Sequence, residues 1–401
     1  MSTQQLNNVV VVGVGRSPMG LFGGSLKDVS VLDLGAQTIR KTLGKIGLSP
    51  EMVDMTVFGN CRQAGNGGNP ARIAAELAGI PIDKYANTIN CACPSGIKAT
   101  IIASQDIMCG DGEVIVSGGM ESMSNIPHLI IGHRWKGFRL GDVTILDGWN
   151  DTVDRIAKIP MGMTAENVAE KYNISREDQD KFACESHMKA STAQKAGLFK
   201  EEIVPIDVPR DRNRKEFVFS EDECIRHDIS LEKMSELLPV FRKDGKGTVT
   251  SGNACGMPDG AAALIVMSRS KAKSIGYDPL FSIVSYSNAA VDNAYMGIGP
   301  IVSIPIALKR GGLSLLDVDA FEINEAFAAT SLACERTLKI DHQKININGG
   351  AIALGHPVGC SGARLLVTLY HVLKQQNKEI GVASLCGGGG VSCAIVIKRE
   401  Q

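Results

Sequence analysis

Three segments of this 401-residue chain hold residues whose types and settings suit chemistry. The first, Asn90-Cys91-Ala92-Cys93-Pro94-Ser95-Gly96, precedes the helical pattern Ile97–Met108. With Pro94 at the first helical position, Cys93 takes the N-cap, where unpaired N–H groups and the positive end of the helix dipole stabilise a thiolate. Cys93 therefore reads as a nucleophile, although the same segment alone also reads as a small buried thiol in a tight turn. Cys91, one strand step away, points to the opposite face and reads as packing. The second segment is Gly355-His356-Pro357, inside the run Asn346–Gly362, which contains Gly349, Gly350, Gly355, Gly359 and Gly362. Glycines that dense imply close backbone approach or positive φ, and a His held among them serves as base or donor, or else as a capping or core residue. In the third, Cys386 heads Gly387–Gly390 after the apolar run Ile380–Leu385. Such a loop forms an oxyanion hole or anion nest, or simply a turn between strands. Asn324, following the strand-like Ala320–Ile323, adds a group that can orient a water or donate to an oxyanion.

The elements that must position these residues read as α/β layers. β-branched runs such as Val9–Val12, Glu113–Val116, Ala262–Met267 and Ala394–Lys398 alternate with helical patterns such as Val31–Ile46 and Ser175–Ala196, which predicts buried, largely parallel strands. Ser175-Arg176-Glu177-Asp178 is a capping box with Asp for Glu, and Gly197 supplies the stop. An internal repeat organises the whole. Gly47-Leu48-Ser49, with Val53-Asp54 behind it, recurs as Gly312-Leu313-Ser314 with Val318-Asp319; Ser95-Gly96 recurs as Ser361-Gly362, and Val116–Gly119 as Leu385–Gly388. Three matches in one order at a nearly constant offset imply two similar halves. Residues 1–124 and 249–275 make the first half and 276–401 the second. The charged stretch 125–248, with no counterpart in the second half, reads as an inserted loop domain. Duplicated halves bring their strand ends to one face, so Cys93, His356, Cys386 and Asn324 converge.

Composition narrows the partners. Lys+Arg 42 against Asp+Glu 43 gives a net charge of -1, which excludes a global cationic field for nucleic acid or anionic lipid. Any cationic site must be local, within Arg134–Arg139 or Arg210–Lys215. Eleven cysteines, an odd number with no signal peptide, fit a reducing compartment. No apolar stretch reaches the roughly 18 residues of a membrane span, and no zinc-type ligand spacing appears; a cytoplasmic protein without metal or resident cofactor is expected.

Together these segments resemble the thiolases, the acyl-CoA C-acyltransferases, along essentially the whole chain. The matching motifs are Arg16-Ser17-Pro18-Met19-Gly20, Asn90-x-x-Cys93-x-Ser95-Gly96, Gly118–Ser124, Met161-Gly162-x-Thr164–Ala169, Asn324-Glu325-Ala326-Phe327, Gly355-His356-Pro357-x-Gly359-x-Ser361-Gly362 and Cys386-x-Gly388-Gly389-Gly390. The resemblance implies a five-layered α/β/α/β/α thiolase fold. It implies that Cys93 carries the acyl group, that His356 takes its proton, and that Cys386 exchanges the α-proton of acetyl-CoA. One oxyanion hole would come from His356 and a water held by Asn324, the other from the N–H groups of Cys93 and Gly388. Met161 would line the acyl pocket and favour a short chain. The glycine-rich stretches Gly118-Gly119, Gly349–Gly362 and Gly387–Gly390 would be where loops approach a thioester.

Four positions depart from the family's pattern: Ser392 stands for a usual Gly, Cys255 for the Ser ending Thr-Ala-Gly-Asn-Ala-Ser, Leu238 for a basic residue and Pro160 for a His. They bear on CoA affinity and chain-length preference. The implied contacts to CoA are Met161, Ala254, Cys255, Arg134, Arg139 and Arg212. The expected reaction is 2 acetyl-CoA ⇌ acetoacetyl-CoA + CoA, in a homo-oligomer, dimer or tetramer. A degradative 3-ketoacyl-CoA thiolase and a catalytically weakened acyl-CoA-binding protein are the alternatives. A ketosynthase would need His or Asn where Cys386 stands.

Overall fold

The computed structural model describes residues 6, 8–149, 153–210 and 215–400. Its strands, in chain order, are β1 (Val9–Arg16), β2 (Met55–Gly59), β3 (Tyr85–Ile89), β4 (Val114–Ser122), the short hairpins β5/β6 (His128–Leu129, Leu146–Asp147) and β7/β8 (Ile206–Val208, Phe217–Phe219), then β9 (Asp259–Ser268), β10 (Phe281–Ala290), β11 (Ala320–Ile323), β12 (Ile380–Cys386) and β13 (Val391–Arg399). The helices are α1 (Val31–Ile46), α2 (Pro70–Leu77), α3 (Ser95–Cys109), α4 (His133–Lys136), α5 (Met161–Lys171), α6 (Arg176–Lys195), α7 (Leu231–Ser235), α8 (Arg269–Ser274), α9 (Gly299–Gly311), α10 (Ala328–Leu338), α11 (Ala351–Leu354) and α12 (Val358–Gln375).

The internal repeat is written into the strand order. The first half runs β3-β2-β4-β9-β1 and the second β11-β12-β13-β10, with Ile345 bridging Phe321 in parallel where β3 would stand. β1 and β10 meet edge to edge through Val10↔Ser282 and Val11↔Phe281, joining both halves in one nine-stranded sheet. Among the described residues only β2/β3, β2/β4 and β11/β12 pair as parallel strands; β1/β9, β4/β9, β10/β13 and β12/β13 are antiparallel. The expectation of largely parallel strands is thus corrected. Unbroken apolar runs report burial on both faces, and strand direction is independent of it.

The repeated residues do repeated jobs. Gly47 and Gly312 end α1 and α9 in the left-handed region at φ 69. Val53 and Val318 are fully buried. The Asp54 carboxylate accepts from the N–H groups of Glu113 and Val114 at 2.9 and 3.0 Å, and Asp319 does the same for Glu379 and Ile380 at 3.1 and 3.0 Å.

Residue parity along the strands builds the layers. Val10 and Val12 face α1 and α2 in a cluster with Leu34, Ile39, Leu43, Ala71 and Ala74. Val9 and Val11 face the other way, onto Ile97 and Ile101 of α3 and Leu365, Leu366 and Leu369 of α12. That inner cluster also takes Ile283, Ala383, Leu385, Ile395 and Ile397 of the second half. Val382, Ala394 and Val396 point outward to Ile304, Ala307 and Leu308 of α9. The sequence of layers is α/β/α/β/α, with α3 and α12 in the middle.

Glycine sets how closely those two helices cross. A Cβ on Gly96 would lie 2.6 Å from the Ala363 nitrogen, and one on Gly362 would strike the Ile97 nitrogen. The first turns of α3 and α12 therefore touch backbone to backbone.

Between β4 and β9, α5 and α6 pack on α10 through Val168, Phe182 and Leu332. Ser175 caps α6, accepting from the Asp178 N–H at 3.0 Å. Among the described residues no helix is long and apolar enough to cross a membrane. Arg16, at the end of β1, ties this segment to the sheet. Its guanidinium donates to Asp222 at 2.7 and 2.8 Å and to Glu202 at 2.7 Å, with all three side chains buried. Arg16→Met strands two buried carboxylates and should lower unfolding stability by roughly 3–5 kcal/mol, read as a fall in the urea midpoint; a midpoint equal to wild type would show the triad to be energetically neutral.

Candidate active site

The nucleophile loop follows from the short connection between β3 and α3. Asn90 Oδ1 accepts from the Ala92 N–H at 3.1 Å, Ala92 adopts a left-handed φ of 54, and the Ser95 hydroxyl donates to Ala92 O at 2.6 Å while accepting from the Cys91 N–H at 2.9 Å. Local side-chain bonds of this kind replace the missing strand and helix partners. Pro94 is the capping residue, at φ -68 and ψ 0, so Cys93 precedes the cap by one position and Cys91 lies in the turn, not on a strand. The cap expectation was thus off by one residue, and the strand expected to carry Cys91 ends at Ile89.

The expected dipole-stabilised thiolate is also corrected. Burial raises the Cys93 thiol, and hydrogen bonds from the Gly388 and Cys93 N–H groups, with the Arg62 charge, only partly oppose it. Desolvation outweighs the helix end. In the free site Cys93 holds its proton until a base removes it, and two backbone N–H groups already aim at its sulfur.

The base is positioned by the start of α12. Gly355, at φ 87, packs where a Cβ would collide with Pro258, and the His356 N–H donates to Gly256 O at 3.0 Å. The Ser361 hydroxyl donates to Pro357 O at 3.0 Å and lies 2.5 Å from His356 Nδ1. With the hydroxyl hydrogen committed, Nδ1 carries the ring proton and Nε2 keeps a lone pair. Nε2 is buried with no partner among the described residues, as is Asn324 Oδ1. Asn324 Nδ2 stands 3.5 Å from His356 Nδ1. Burial, aided by the Arg364 charge, pulls His356 down to about 3, so the imidazole is neutral.

Cys386 ends β12 and is almost fully buried. The four glycines after it form the β12–β13 turn, with the Gly387 N–H donating to Val391 O at 2.8 Å and that of Gly390 to Gly387 O at 3.1 Å. The run is thus a turn between strands that also points the Gly388 N–H at Cys93. Desolvation pushes the Cys386 thiol well up. Ala165, Val249, Met296, Ala326 and Phe327 surround it, with Met161, Phe241 and Ala254 at the margin. Met161 Sδ lies 3.6 Å from where a Gly388 Cβ would stand, which puts this side chain beside both thiol loops.

The strip Thr248–Cys255 runs along Phe327. Ala254 bridges Phe327, the Cys255 N–H donates to Ala326 O at 3.1 Å, and burial pushes the Cys255 thiol up to about 12. Ser392 stands opposite Cys386 in the β12/β13 pair, on the same face of the sheet. Its hydroxyl donates to Leu385 O at 3.0 Å and contacts Ser303 Oγ at 2.9 Å, against Gly299, where a Cβ would collide with it. Pro160 caps α5 in extended conformation, and Leu238 is 83 % exposed.

Among the expected cations, Arg134 and Arg139 are exposed on and after α4, and Arg212 lies outside the described residues. The cation whose field reaches Cys93 is Arg62, which the sequence reading passed over. It also passed over Ser361 and two buried carboxylates, Glu121 and Glu325. Gly118-Gly119 lies within the buried strand β4 and not in a loop; Gly119 leaves room for the Gly359 carbonyl, so that the first turn of α12 seats on β4.

Models of the thiolase N-terminal domain and the thiolase C-terminal domain match residues 9–270 and 277–399. The acetyl-CoA acetyltransferase of Cupriavidus necator is 47% identical over 397 residues, covering 98% of this chain and 100% of that protein. Among solved structures, the Bacillus anthracis acetyl-CoA acetyltransferase superposes with a TM-score of 0.95 at 46% identity, covering 98% of this chain and 99% of that one. Human mitochondrial 3-ketoacyl-CoA thiolase in complex with CoA superposes with a TM-score of 0.94 at 41% identity, covering 99% of each chain. With its duplicated halves, two loop thiols and a free imidazole at their shared face, this chain belongs to the thiolase family of acyltransferases.

Proposed function

We propose that the chain is an acetyl-CoA C-acetyltransferase that interconverts two acetyl-CoA with acetoacetyl-CoA and CoA. The observation that carries this is the Cys93 sulfur flanked by the Gly388 and Cys93 N–H groups, on the same site as a neutral His356 with an unpartnered Nε2. His356 Nε2 takes the Cys93 proton as the sulfur attacks the thioester carbonyl, and returns it to the departing CoA sulfur. The acetyl group then sits on Cys93 with its oxygen toward the two N–H donors. With CoA gone, His356 Nε2 is again free to accept a proton, and it takes that of Cys386, which leaves the thiolate. The Cys386 thiolate removes the α-proton of a second acetyl-CoA; the carbanion attacks the acetyl carbonyl, the C–S bond to Cys93 breaks, and the proton held by Cys386 passes to the Cys93 sulfur. His356 Nε2–H, carrying the proton from Cys386, and a water held by Asn324 face the enolate oxygen, and His356 returns that proton to Cys386 as the cycle closes. An acylated thiol is no longer a base, which is why two thiols are required.

CoA thioesters enter as substrates, with Met161, Ala254 and Cys255 along the acyl and pantetheine path, and the chemistry uses no resident cofactor or metal. Met161 beside Gly388 narrows the acyl end, which favours the short chain over the long chains of a degradative 3-ketoacyl-CoA thiolase. The working form is a homo-oligomer, dimer or tetramer: β3 is an open sheet edge, and Ile131, Trp135, Phe138 and Leu140 form an exposed apolar surface. A cytoplasmic location suits a chain whose eleven cysteines are all free.

Incubation with acetyl-CoA should place one acetyl group on Cys93 by mass spectrometry; bound CoA without an adduct would favour a binding protein instead. Cys386→Ser should still acetylate but condense about 10³-fold more slowly, and full turnover would remove Cys386 from the mechanism. Because His356 is neutral above about 3, the acetylation rate should not decline as pH falls through 6.5. An acid limb centred near 6.5 would show an exposed, ordinary imidazole. Thiolysis of acetoacetyl-CoA should outpace that of 3-ketohexadecanoyl-CoA, and the reverse preference would assign the degradative reaction.

A further inference from the structure

Two buried carboxylates, one from each half, grip the active-site loops from opposite sides. Glu121, near the end of β4, is fully buried. Its Oε1 accepts from Asn60 Nδ2 at 2.7 Å and the Arg62 N–H at 3.1 Å; its Oε2 accepts from the N–H groups of Cys61 at 3.0 Å and Gly359 at 2.9 Å. An ionised carboxylate offers about four lone-pair sites, and all are taken. The partners lead directly into the catalytic loops. Cys61 donates to Ala92 O at 3.0 Å and touches Ser95 Oγ at 3.2 Å, inside the turn that carries Cys93. Gly359 lies between His356 and Ser361, in the first turn of α12. A Cβ there would lie 2.8 Å from Met120 O and 2.9 Å from the Asn60 Cα, so the fit leaves no slack.

Glu325 holds the same loop from its other end. It follows Asn324 directly and is buried. It accepts from Asn346 Nδ2 at 2.8 Å, from the Ser186 hydroxyl at 2.6 Å and from the Ile352 N–H at 3.0 Å. Ile352 sits in α11, the single turn that leads into Gly355-His356, and the Gly350 N–H donates to Ser186 Oγ at 3.1 Å. Asn346, the second partner, also brackets Ile323, the last residue before Asn324, through both its backbone groups at 2.9 Å.

We infer that Glu121 and Glu325 are paired positioning residues that hold His356 between them and in register with Cys93 and Asn324. Neither carboxylate has a reacting atom to touch. Each fixes backbone N–H groups flanking the imidazole, and Glu121 additionally fixes the nucleophile turn. Buried, saturated acceptors of this kind rigidify what they bind, and displacements of about 1 Å in a catalytic pair cost on the order of 10²-fold in rate. The inference rests on the roles proposed above for Cys93 and His356.

Glu121→Gln and Glu325→Gln keep side-chain shape and turn an acceptor oxygen into a donor that faces N–H or O–H groups. Each should lower kcat about 10²-fold with KM for acetyl-CoA unchanged, and should slow the alkylation of Cys93 by iodoacetamide in parallel, both normalised to folded protein. A residue that only stabilised the fold would lower the folded fraction and leave these normalised rates alone. If neither variant folds, Ser186→Ala removes one donor from Glu325 while leaving Asn346 and Ile352 in place, and should reduce kcat several-fold at constant KM. Wild-type kcat in the folded Gln variants, or in Ser186→Ala where it must stand in for them, overturns the inference. If wild-type Cys93 takes no acetyl group at all, the proposed reaction fails, and the normalised alkylation rates alone then decide whether the carboxylates position the thiol.

Discussion

The contact on which the site depends is the crossing of α3 and α12 at their first turns. Both helices lie in the innermost layer, with one half of the sheet on either side; α12 is buried all round from Gly359 to Leu373, while α3 leaves the stripe Lys98, Ile102, Gln105 and Cys109 partly or fully exposed. Gly96 and Gly362 let their backbones touch. Because the helices are repeat-related, equivalent loops end at that crossing: the turn bearing Cys93 enters α3, and the turn bearing His356 enters α12. Any side chain at either glycine would separate the helix starts and, with them, the thiol and the imidazole. The glycines at Gly119 and Gly359 extend the same logic, seating α12 on the end of β4.

Burial then sets the electrostatics. Helix N-termini favour anions, yet Cys93, Cys255 and Cys386 are all raised by desolvation and His356 is lowered by it. The site at rest is therefore a set of neutral groups, surrounded by N–H donors that become valuable only when negative charge appears on sulfur or on a carbonyl oxygen. That arrangement is the electrostatic preorganisation a Claisen condensation needs. Charges are kept one shell outward, at Glu121, Glu325, Arg62 and Arg364, where each is buried or partly buried and acts through hydrogen bonds or field on the neutral groups within.

The segment between β4 and β9 is attached by polar bonds as much as by its apolar face. Arg16 binds Asp222 and Glu202, Glu166 accepts from the Thr248 and Val249 N–H groups at 2.9 Å, and Asn253 Nδ2 donates to Asp180 at 2.8 Å. These bonds lay the strip Thr248–Cys255 beside Phe327 and bring Met161 to the thiol loops. Substitution of a small hydroxyl by Cys255 keeps a compact neutral group there. Ser392, opposite Cys386, joins Ser303 in a serine cluster against α9.

Much of this was legible in the residues themselves. The offset repeat announced two halves, because Gly47 and Gly312 answer the same left-handed turn and Asp54 and Asp319 clamp equivalent strands; local geometry of that kind is dictated by local sequence. Cys93, His356, Asn324 and Cys386 were legible as candidates because their residue types suit the chemistry and they fall at strand ends or helix starts. Strand direction was not, since apolar runs encode burial alone, and neither was the cap register around Pro94, which a hydrogen-bonded turn shifted by one residue. Glu121, Glu325 and Ser361 stood in the motifs with no role assigned, because a carboxylate or hydroxyl in sequence looks solvated until its partners, such as Cys61 and Gly359 or Ser186 and Ile352, meet it in the fold. The sequence by itself determined which groups can react and that the chain is a duplicated α/β protein. Only the tertiary structure decided that the thiols are protonated and the imidazole neutral, because desolvation belongs to the packed assembly and not to any stretch of chain.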